Sequence, residues 1–179
     1  IRDQAAAALA DADIVLFVAD AVEGLTPLDE ELARTVLSRF SGKVLVLANK
    51  VDTPAREPLA LDFYRLGVDR VFPVSAEHAI GLDDVMAEVL KSFPQTAIVS
   101  DAGGEPVRVA LVGRPNVGKS SLVNALLGEH RVVVDSTPGT TRDAVDTPFS
   151  RGEERWVLVD TAGIRRRGRI QADLEKYSV

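Results

Sequence analysis

Five short apolar runs punctuate the chain: "DIVLFVAD" at 13–20, "KVLVLAN" at 43–49, "RVFPVS" at 70–75, "VRVALVG" at 107–113 and "RWVLVD" at 155–160. Each is rich in Val, Ile and Leu, and none alternates cleanly between apolar and polar positions. A strand with one wet face would alternate, so continuous runs of this length predict strands covered on both faces, as in a parallel sheet. Between the runs, apolar residues recur at helical spacing. "LDEELARTVLSRF" at 28–40 follows Pro27, "EPLALDFYRLG" at 57–67 ends on Gly67, "GLDDVMAEVLKSF" at 81–93 stops at Pro94, and "KSSLVNALLG" at 119–128 ends on Gly128. These are ordinary helix start and stop signals. The Ala-rich residues 1–10 predict a helix, and 170–179 the start of another. Strands alternating with helices predict an α/β fold with a mostly parallel sheet and flanking helices.

The segment "PQTAIVSDAGGEP" at 94–106 carries Pro94, Gly103, Gly104 and Pro106 and has no periodicity, so it is read as a linker. It divides the chain into 1–93 and 107–179, and the two parts do not repeat each other.

Composition narrows the classes. The chain has 179 residues, 46% of them hydrophobic and 27% charged, with a net charge of −6 and no cysteine. That is a globular chain. Its overall field opposes nonspecific nucleic-acid binding, while leaving room for a local basic patch. There is no disulfide and no thiolate metal site, as suits a reducing compartment such as the cytoplasm. No apolar run approaches the ~18 residues of a membrane span. "IRDQAAAALADAD" at the start has no cationic flank, no signal-type core and no initiator Met, so a fragment or processed product is expected.

Three motifs then carry chemistry. "GRPNVGKSS" at 113–121 fits G-x-x-x-x-G-K-[ST] between a predicted strand and a predicted helix, the context that a phosphate-binding loop requires. The nucleotide-binding residues expected here are Gly113, Asn116, Val117, Gly118, Lys119, Ser120 and Ser121. The glycines let backbone N–H groups approach phosphate oxygens, Lys119 brings a charge to the outer phosphates, and the Ser120 hydroxyl can ligate Mg²⁺. The helix that begins there adds about half a positive charge from its dipole. "DTAG" at 160–163 closes the last apolar run. Asp160 can hold the Mg²⁺ shell, and the Gly163 N–H can approach a γ-phosphate. "NKVD" at 49–52 closes another strand. The Asp52 carboxylate matches the paired N1–H and N2–H donors of guanine, which adenine lacks. Asn49 can tie neighbouring loops together, and the Lys50 stem can lie along the base. Ser75 and Ala76 close the next strand, with the Ala76 N–H as the expected second base contact.

"STPGTTRD" at 136–143 offers a hydroxyl to Mg²⁺ and otherwise reads as a solvent loop. The basic cluster at 165–169 reads as a solvated switch segment or as a contact with RNA or a protein partner. His78 and His130 read as surface residues, and Phe17 and Trp156 as core.

The order of these motifs is unusual, because the base reader precedes the phosphate loop. Taken together, the residues resemble the translation-factor-like GTPases and, more narrowly, the EngA/Der family of bacterial tandem GTPases. "GRPNVGKSSLVNALLGE", "TPGTTRD", "DTAGIRRRGRI" and "EKYSV" resemble the first half of that family's second GTPase domain. "DADIVLFVADAVEGLTPLDEELA", "NKVD" and "PVSAEHAIGLDD" resemble the second half of its first GTPase domain. On this reading 1–93 and 107–179 are halves of two successive domains, and the P-loop GTPase elements occur in circularly permuted order. Naturally permuted GTPases share that order but resemble the chain less.

The resemblance implies GTP and GDP as ligands, hydrolysis with Mg²⁺, and a switch role in assembly of the large ribosomal subunit. The ribosomal subunit or its RNA would be the partner of the full-length parent, with no membrane. It implies Lys119, Thr141 and Gly163 as catalytic residues, Thr141 being the Mg²⁺-sensing switch threonine. It puts Asn116 where potassium-stimulated relatives place a K⁺ ligand, and Ile164 where small signalling GTPases carry a water-orienting Gln. An apolar residue there implies slow intrinsic turnover. Two other functions compete: a guanine-nucleotide-sensing module with negligible hydrolysis, and an ATPase, against which Asp52 argues. For assembly, one closed site built from both parts is expected, with a swapped dimer as its competitor.

Overall fold

A computed structural model describes residues 9–91, 106–128, 146–151 and 154–159; at 149–151 and 154 only the backbone is described. The elements in chain order are β1 (Ile14–Asp20), α1 (Pro27–Arg39), β2 (Lys43–Asn49), a 3-10 helix (Pro54–Leu66), β3 (Val71–Pro73), α2 (Leu82–Leu90), β4 (Val107–Val112), α3 (Lys119–Gly128), β5 (Thr147–Arg151) and β6 (Glu154–Val159). All five apolar runs are strands. Of the helix predicted at 1–10 only residues 9 and 10 are described, and both are helical; the one predicted at 170–179 lies outside the described residues.

The strands form one six-stranded sheet in the order β3-β2-β1-β4-β6-β5. Every pairing is parallel except β5 with β6. Strand β1 pairs with β4 from Ile14↔Val109 to Phe17↔Val112, so the parts on either side of 94–106 share a single sheet. Strand β5 is the element that sequence reasoning missed. Its run "TPFSR" is short and contains Pro148, which demotes a segment in any strand search. Proline is tolerated because β5 is an edge, where an absent N–H breaks no ladder. The other edge, β3, has only three residues and ends on Pro73. Both edges are thus poor templates for another chain.

Side chains alternate across β1 and feed two cores. Ile14, Leu16 and Val18 face a layer that contains α2 (Leu82, Val85, Met86, Val89) and α3 (Leu122, Val123, Leu126), together with Trp156 and Leu158. Val15, Phe17 and Ala19 face the layer with α1 (Leu32, Ala33, Val36) and the 3-10 helix (Ala60, Phe63). Phe17 and Trp156 are both 1% exposed, as expected for core.

Local rules explain the helices. Thr26 caps α1: its Oγ1 accepts the Asp29 N–H (3.3 Å), and Asp29 Oδ2 accepts the Thr26 N–H (3.1 Å), a reciprocal box with Pro27 in the first turn. The segment at 57–67, expected as an ordinary helix, is instead part of a 3-10 helix with Pro58 inside it. Ala60 and Phe63 are buried and Leu66 partly so. That spacing of three makes a single stripe only when a turn holds three residues. Gly67 ends the helix in the left-handed conformation (φ 76°), with its N–H donated to Tyr64 O.

Candidate functional site

In a sheet of this kind ligands sit beyond the carboxyl ends of the parallel strands, where the chain turns away in opposite directions from two adjacent strands. Here that point lies between β1 and β4, and both motif loops whose residues are described emerge around it. The phosphate loop follows β4, "NKVD" closes β2, and Ser75 follows β3.

Asn49 joins these loops. Its Nδ2 donates to Val117 O in the phosphate loop (2.7 Å), and its Oδ1 accepts the Ala76 N–H (2.9 Å). The side chain is 3% exposed, so it meets no competing water. Gly118 is required beside it: a Cβ there would lie 2.1 Å from Asn49 Nδ2, and its φ of +99° disfavours any side chain. Gly113 is required by another close approach, since its Cβ would stand 2.1 Å from Val18 O on β1. The loop is thus pressed against β1 on one side and the "NKVD" loop on the other.

Lys119, at the start of α3, turns its ammonium back across the loop and donates to Gly113 O (2.7 Å) and Arg114 O (2.5 Å). Ser120 is half-buried in the first turn of α3, and Ser121 is exposed. Val117 has its side chain in the core (1% exposed) and its carbonyl on Asn49. Asn116 is exposed and left-handed (φ 66°).

Asp52 is held on both oxygens. Ser75 Oγ donates to Oδ1 (2.9 Å), and the Arg56 guanidinium donates to Oδ2. The Ala76 N–H, expected at a base, is engaged by Asn49. Lys50 is left-handed (φ 72°), and its ammonium pairs with Asp20 Oδ2 at 2.6 Å. Asp20 also accepts the Val22 and Glu23 N–H groups on Oδ1. Burial pushes its carboxyl upward, but the Lys50 hydrogen bond, the Glu23 N–H, the Lys50 charge and the Val22 N–H together hold it below the ordinary carboxylate value.

A second polar assembly braces the phosphate loop from behind. Arg114 Nε donates to Asp29 Oδ1 (2.7 Å), and its two terminal nitrogens donate to Glu23 (3.2 and 3.1 Å). Burial works against the guanidinium charge, yet the carboxylates of Glu23 and Asp29 raise its affinity for its proton above the ordinary value.

Asn49, Lys50, Asp52, Ser75, Ala76, Gly113, Asn116, Val117, Gly118, Lys119, Ser120 and Ser121 are therefore gathered at one end of the sheet. Thr141, Asp160, Gly163, Ile164 and the basic cluster at 165–169 lie outside the described residues, as does His130. Sequence reasoning passed over Asp20, Asp29, Arg56 and Arg114. Two of them had a signal: Asp20 ends a buried parallel strand, and Arg56 stands four residues after Asp52, within reach along a helical turn.

Comparison with known proteins adds three findings. Residues 108–178 match the family described as "50S ribosome-binding GTPase". Over the whole chain the sequence is 53% identical to GTPase Der of Syntrophotalea carbinolica, 49% to GTPase Der of Geotalea uraniireducens and 47% to GTPase Der of a Thermoanaerobacter species. The chain spans 40% of the length of each of these relatives. A crystal structure of YjeQ from Thermotoga maritima superposes with a TM-score of 0.51 over 86% of this chain and 50% of that one, at 15% identity, a likeness of fold alone.

Proposed function

Because the chain belongs, as a stretch of about two fifths of its members' length, to the GTPase Der family, we propose that it binds guanine nucleotide at one site built from both of its parts. The observation that carries this reading is the Asn49 bridge: one buried side chain holds the base-reading loop, the phosphate loop and the Ser75–Ala76 turn together. We read 1–93 as the second half of one GTPase domain and 107–179 as the first half of the next. The parent activity is hydrolysis of GTP, coupled as a switch to assembly of the large ribosomal subunit in the cytoplasm. No helix among the described residues is long and apolar enough to cross a membrane.

The chemistry proceeds from the residues present. Asp52 reads the two donors of the guanine edge, and Lys50 extends over the base from its anchor on Asp20. The Lys119 ammonium, now on two loop carbonyls, turns to the outer phosphate oxygens, charge meeting charge. The N-terminus of α3 adds N–H groups and a favourable dipole. Among the described residues no cluster of three or more His, Cys, Asp or Glu forms a metal cage. The fit to Mg²⁺ is of another kind, a half-buried hydroxyl beside a phosphate loop. Ser120 would hold the ion, with Thr141 and Asp160 completing its shell. When bound, Mg²⁺ neutralises charge on the phosphates. Asn116 would offer an oxygen to K⁺ near the same phosphates, and the Gly163 N–H would meet the γ-phosphate.

Titration of a fluorescent guanine nucleotide into material shown to be monomeric by sedimentation tests the shared site. Binding near one nucleotide per chain is expected, weakened at least about tenfold by Lys119→Ala and also weakened by Asp52→Asn. Sensitivity to only one of the two changes, or binding confined to dimers, contradicts it. A single-turnover phosphate-release measurement separates a hydrolase from a module that only senses nucleotide.

A further inference from the structure

Asp52 is the group that must meet two parallel donors, and what holds it decides how well it does so. A carboxylate has two oxygens and about four acceptor positions. Ser75 fills one on Oδ1, from beyond β3. Arg56 fills one on Oδ2, from the first turn of the 3-10 helix that Pro54 opens. The same guanidinium nitrogen reaches Lys50 O (3.2 Å), and the Arg56 N–H closes the turn on Thr53 O (2.9 Å). Arg56 therefore spans the "NKVD" turn, gripping it at the carbonyl of its left-handed residue and at its carboxylate. With each oxygen held once by the protein, each keeps about one acceptor position for a ligand, matching the donor pair of guanine.

We propose that Arg56 is a positioning residue for base selection: with Ser75 it fixes the plane of the Asp52 carboxylate, so that a purine edge with two donors is preferred to one with a single donor. This rests on the guanine-nucleotide reading given above. Without Arg56, Oδ2 keeps no hydrogen bond among the described residues, and the carboxylate swings about the bond to its Cβ. A lone donor can follow a swinging oxygen, whereas two parallel donors cannot both stay aligned. The loss should fall on guanine and spare hypoxanthine, which has the ring N1–H but no 2-amino group.

The test compares Kd for GDP and IDP, by displacement of a fluorescent guanine nucleotide, in the parent chain and in Arg56→Ala. GDP should weaken about fivefold and IDP less than about twofold, so the preference for guanine drops. Arg56→Lys, which keeps charge and one direction of reach, should recover part of the preference. Arg65→Ala, which removes an exposed cation bound to Glu30 rather than to Asp52, should leave the ratio unchanged. Arg56 has a 42% exposed side chain, and far-UV circular dichroism checks that the variants fold. An equal loss for GDP and IDP would reduce Arg56 to a structural or general electrostatic role and overturn the proposal. Tighter GDP binding would overturn it too, making Arg56 a competitor of the base. If the parent chain binds no guanine nucleotide, the underlying reading fails and this one with it; normal GDP binding with an unmoved GDP-to-IDP ratio refutes this proposal alone.

Discussion

Replacing Arg114 with Ala should destabilise the chain by about 3 kcal/mol. The figure follows from what Asp29 would be left with. Asp29 is 0% exposed, and its two oxygens divide the work: Oδ2 accepts the N–H (3.1 Å) and the hydroxyl (2.7 Å) of Thr26, whereas Oδ1 accepts from Arg114. Arg114 is itself only 11% exposed on its side chain, so the pair is poorly screened. Removing the guanidinium leaves a buried carboxylate without its counter-charge, a change that costs about 3–5 kcal/mol in general. The two Thr26 bonds survive and keep the estimate at the low end of that range. The Glu23 arm adds little, because Glu23 is 54% exposed and exposed pairs are worth about 0–1 kcal/mol.

Urea unfolding reads this directly. With a slope of about 2 kcal/mol per molar, typical of a domain this size, the midpoint should fall by about 1.5 M. The chain has one tryptophan, Trp156 on β6, whose fluorescence follows the part that carries β4 and β6, while far-UV circular dichroism follows the whole. Both signals should shift together, because β1 and β4 join the two parts in one sheet. Glu23→Gln should move the midpoint by less than about 0.5 M. Adding Asp29→Asn to Arg114→Ala should recover stability, since a neutral amide still accepts from Thr26 and needs no counter-charge. If Arg114→Ala costs no more than Glu23→Gln, the buried pair does not brace the phosphate loop.

Two further outcomes follow from the same geometry. Gly118→Ala puts a methyl into the Asn49 amide at a left-handed position; we expect a loss of about 2–4 kcal/mol in urea unfolding together with weakened nucleotide binding, and parent-like behaviour in both would contradict the Asn49 bridge. Asp20, whose carboxyl is held below its ordinary value of 3.8, contributes stability that is complete above that value and is lost as pH falls through the lower folded one. The stability advantage of the parent over Asp20→Asn should therefore be flat near neutrality and shrink below about pH 4; a constant gap down to pH 2 would show that Lys50 and the two N–H groups do not favour the ionised form.

What could be read from the sequence was what repeats or what is chemically singular. Continuous apolar runs located the parallel strands because both faces are buried, and glycines at fixed spacing marked the loop after β4 because Gly113 and Gly118 come too close to Val18 O and Asn49 for a side chain. The role of Asn49 as a tie between loops was legible for a related reason: a short amide at the end of a buried strand has both a donor and an acceptor to place. Arg56 had only its spacing from Asp52 to mark it, and Arg114 had nothing. Each is an ordinary charged residue in a charged chain, and only the fold brings Arg114 to residues 85 and 91 positions away. Strand β5 escaped because it is short and, as an edge, tolerates the proline that a central strand would exclude.

The joint between the two parts decides whether the motif order matters, and it is secured along its whole length. At the base of the strands, Asp13 N–H donates to Arg108 O (2.8 Å), Asp13 Oδ2 accepts the Arg108 N–H (2.8 Å), and Arg108 Nε donates to Asp11 O (2.7 Å). Along the middle, Ile14, Val15, Leu16 and Phe17 pair with Val109, Ala110, Leu111 and Val112, and of these eight only Leu111 is more than 4% exposed. At the top, Asn49 and Arg114 cross to the opposite part. A parallel pair needs only that its strands enter from the same end of the sheet; it is indifferent to which strand comes first in the chain. The 13 residues at 94–106 would reach about 40 Å if fully extended. That is why "NKVD" can precede "GRPNVGKSS" in the chain and still lie beside it.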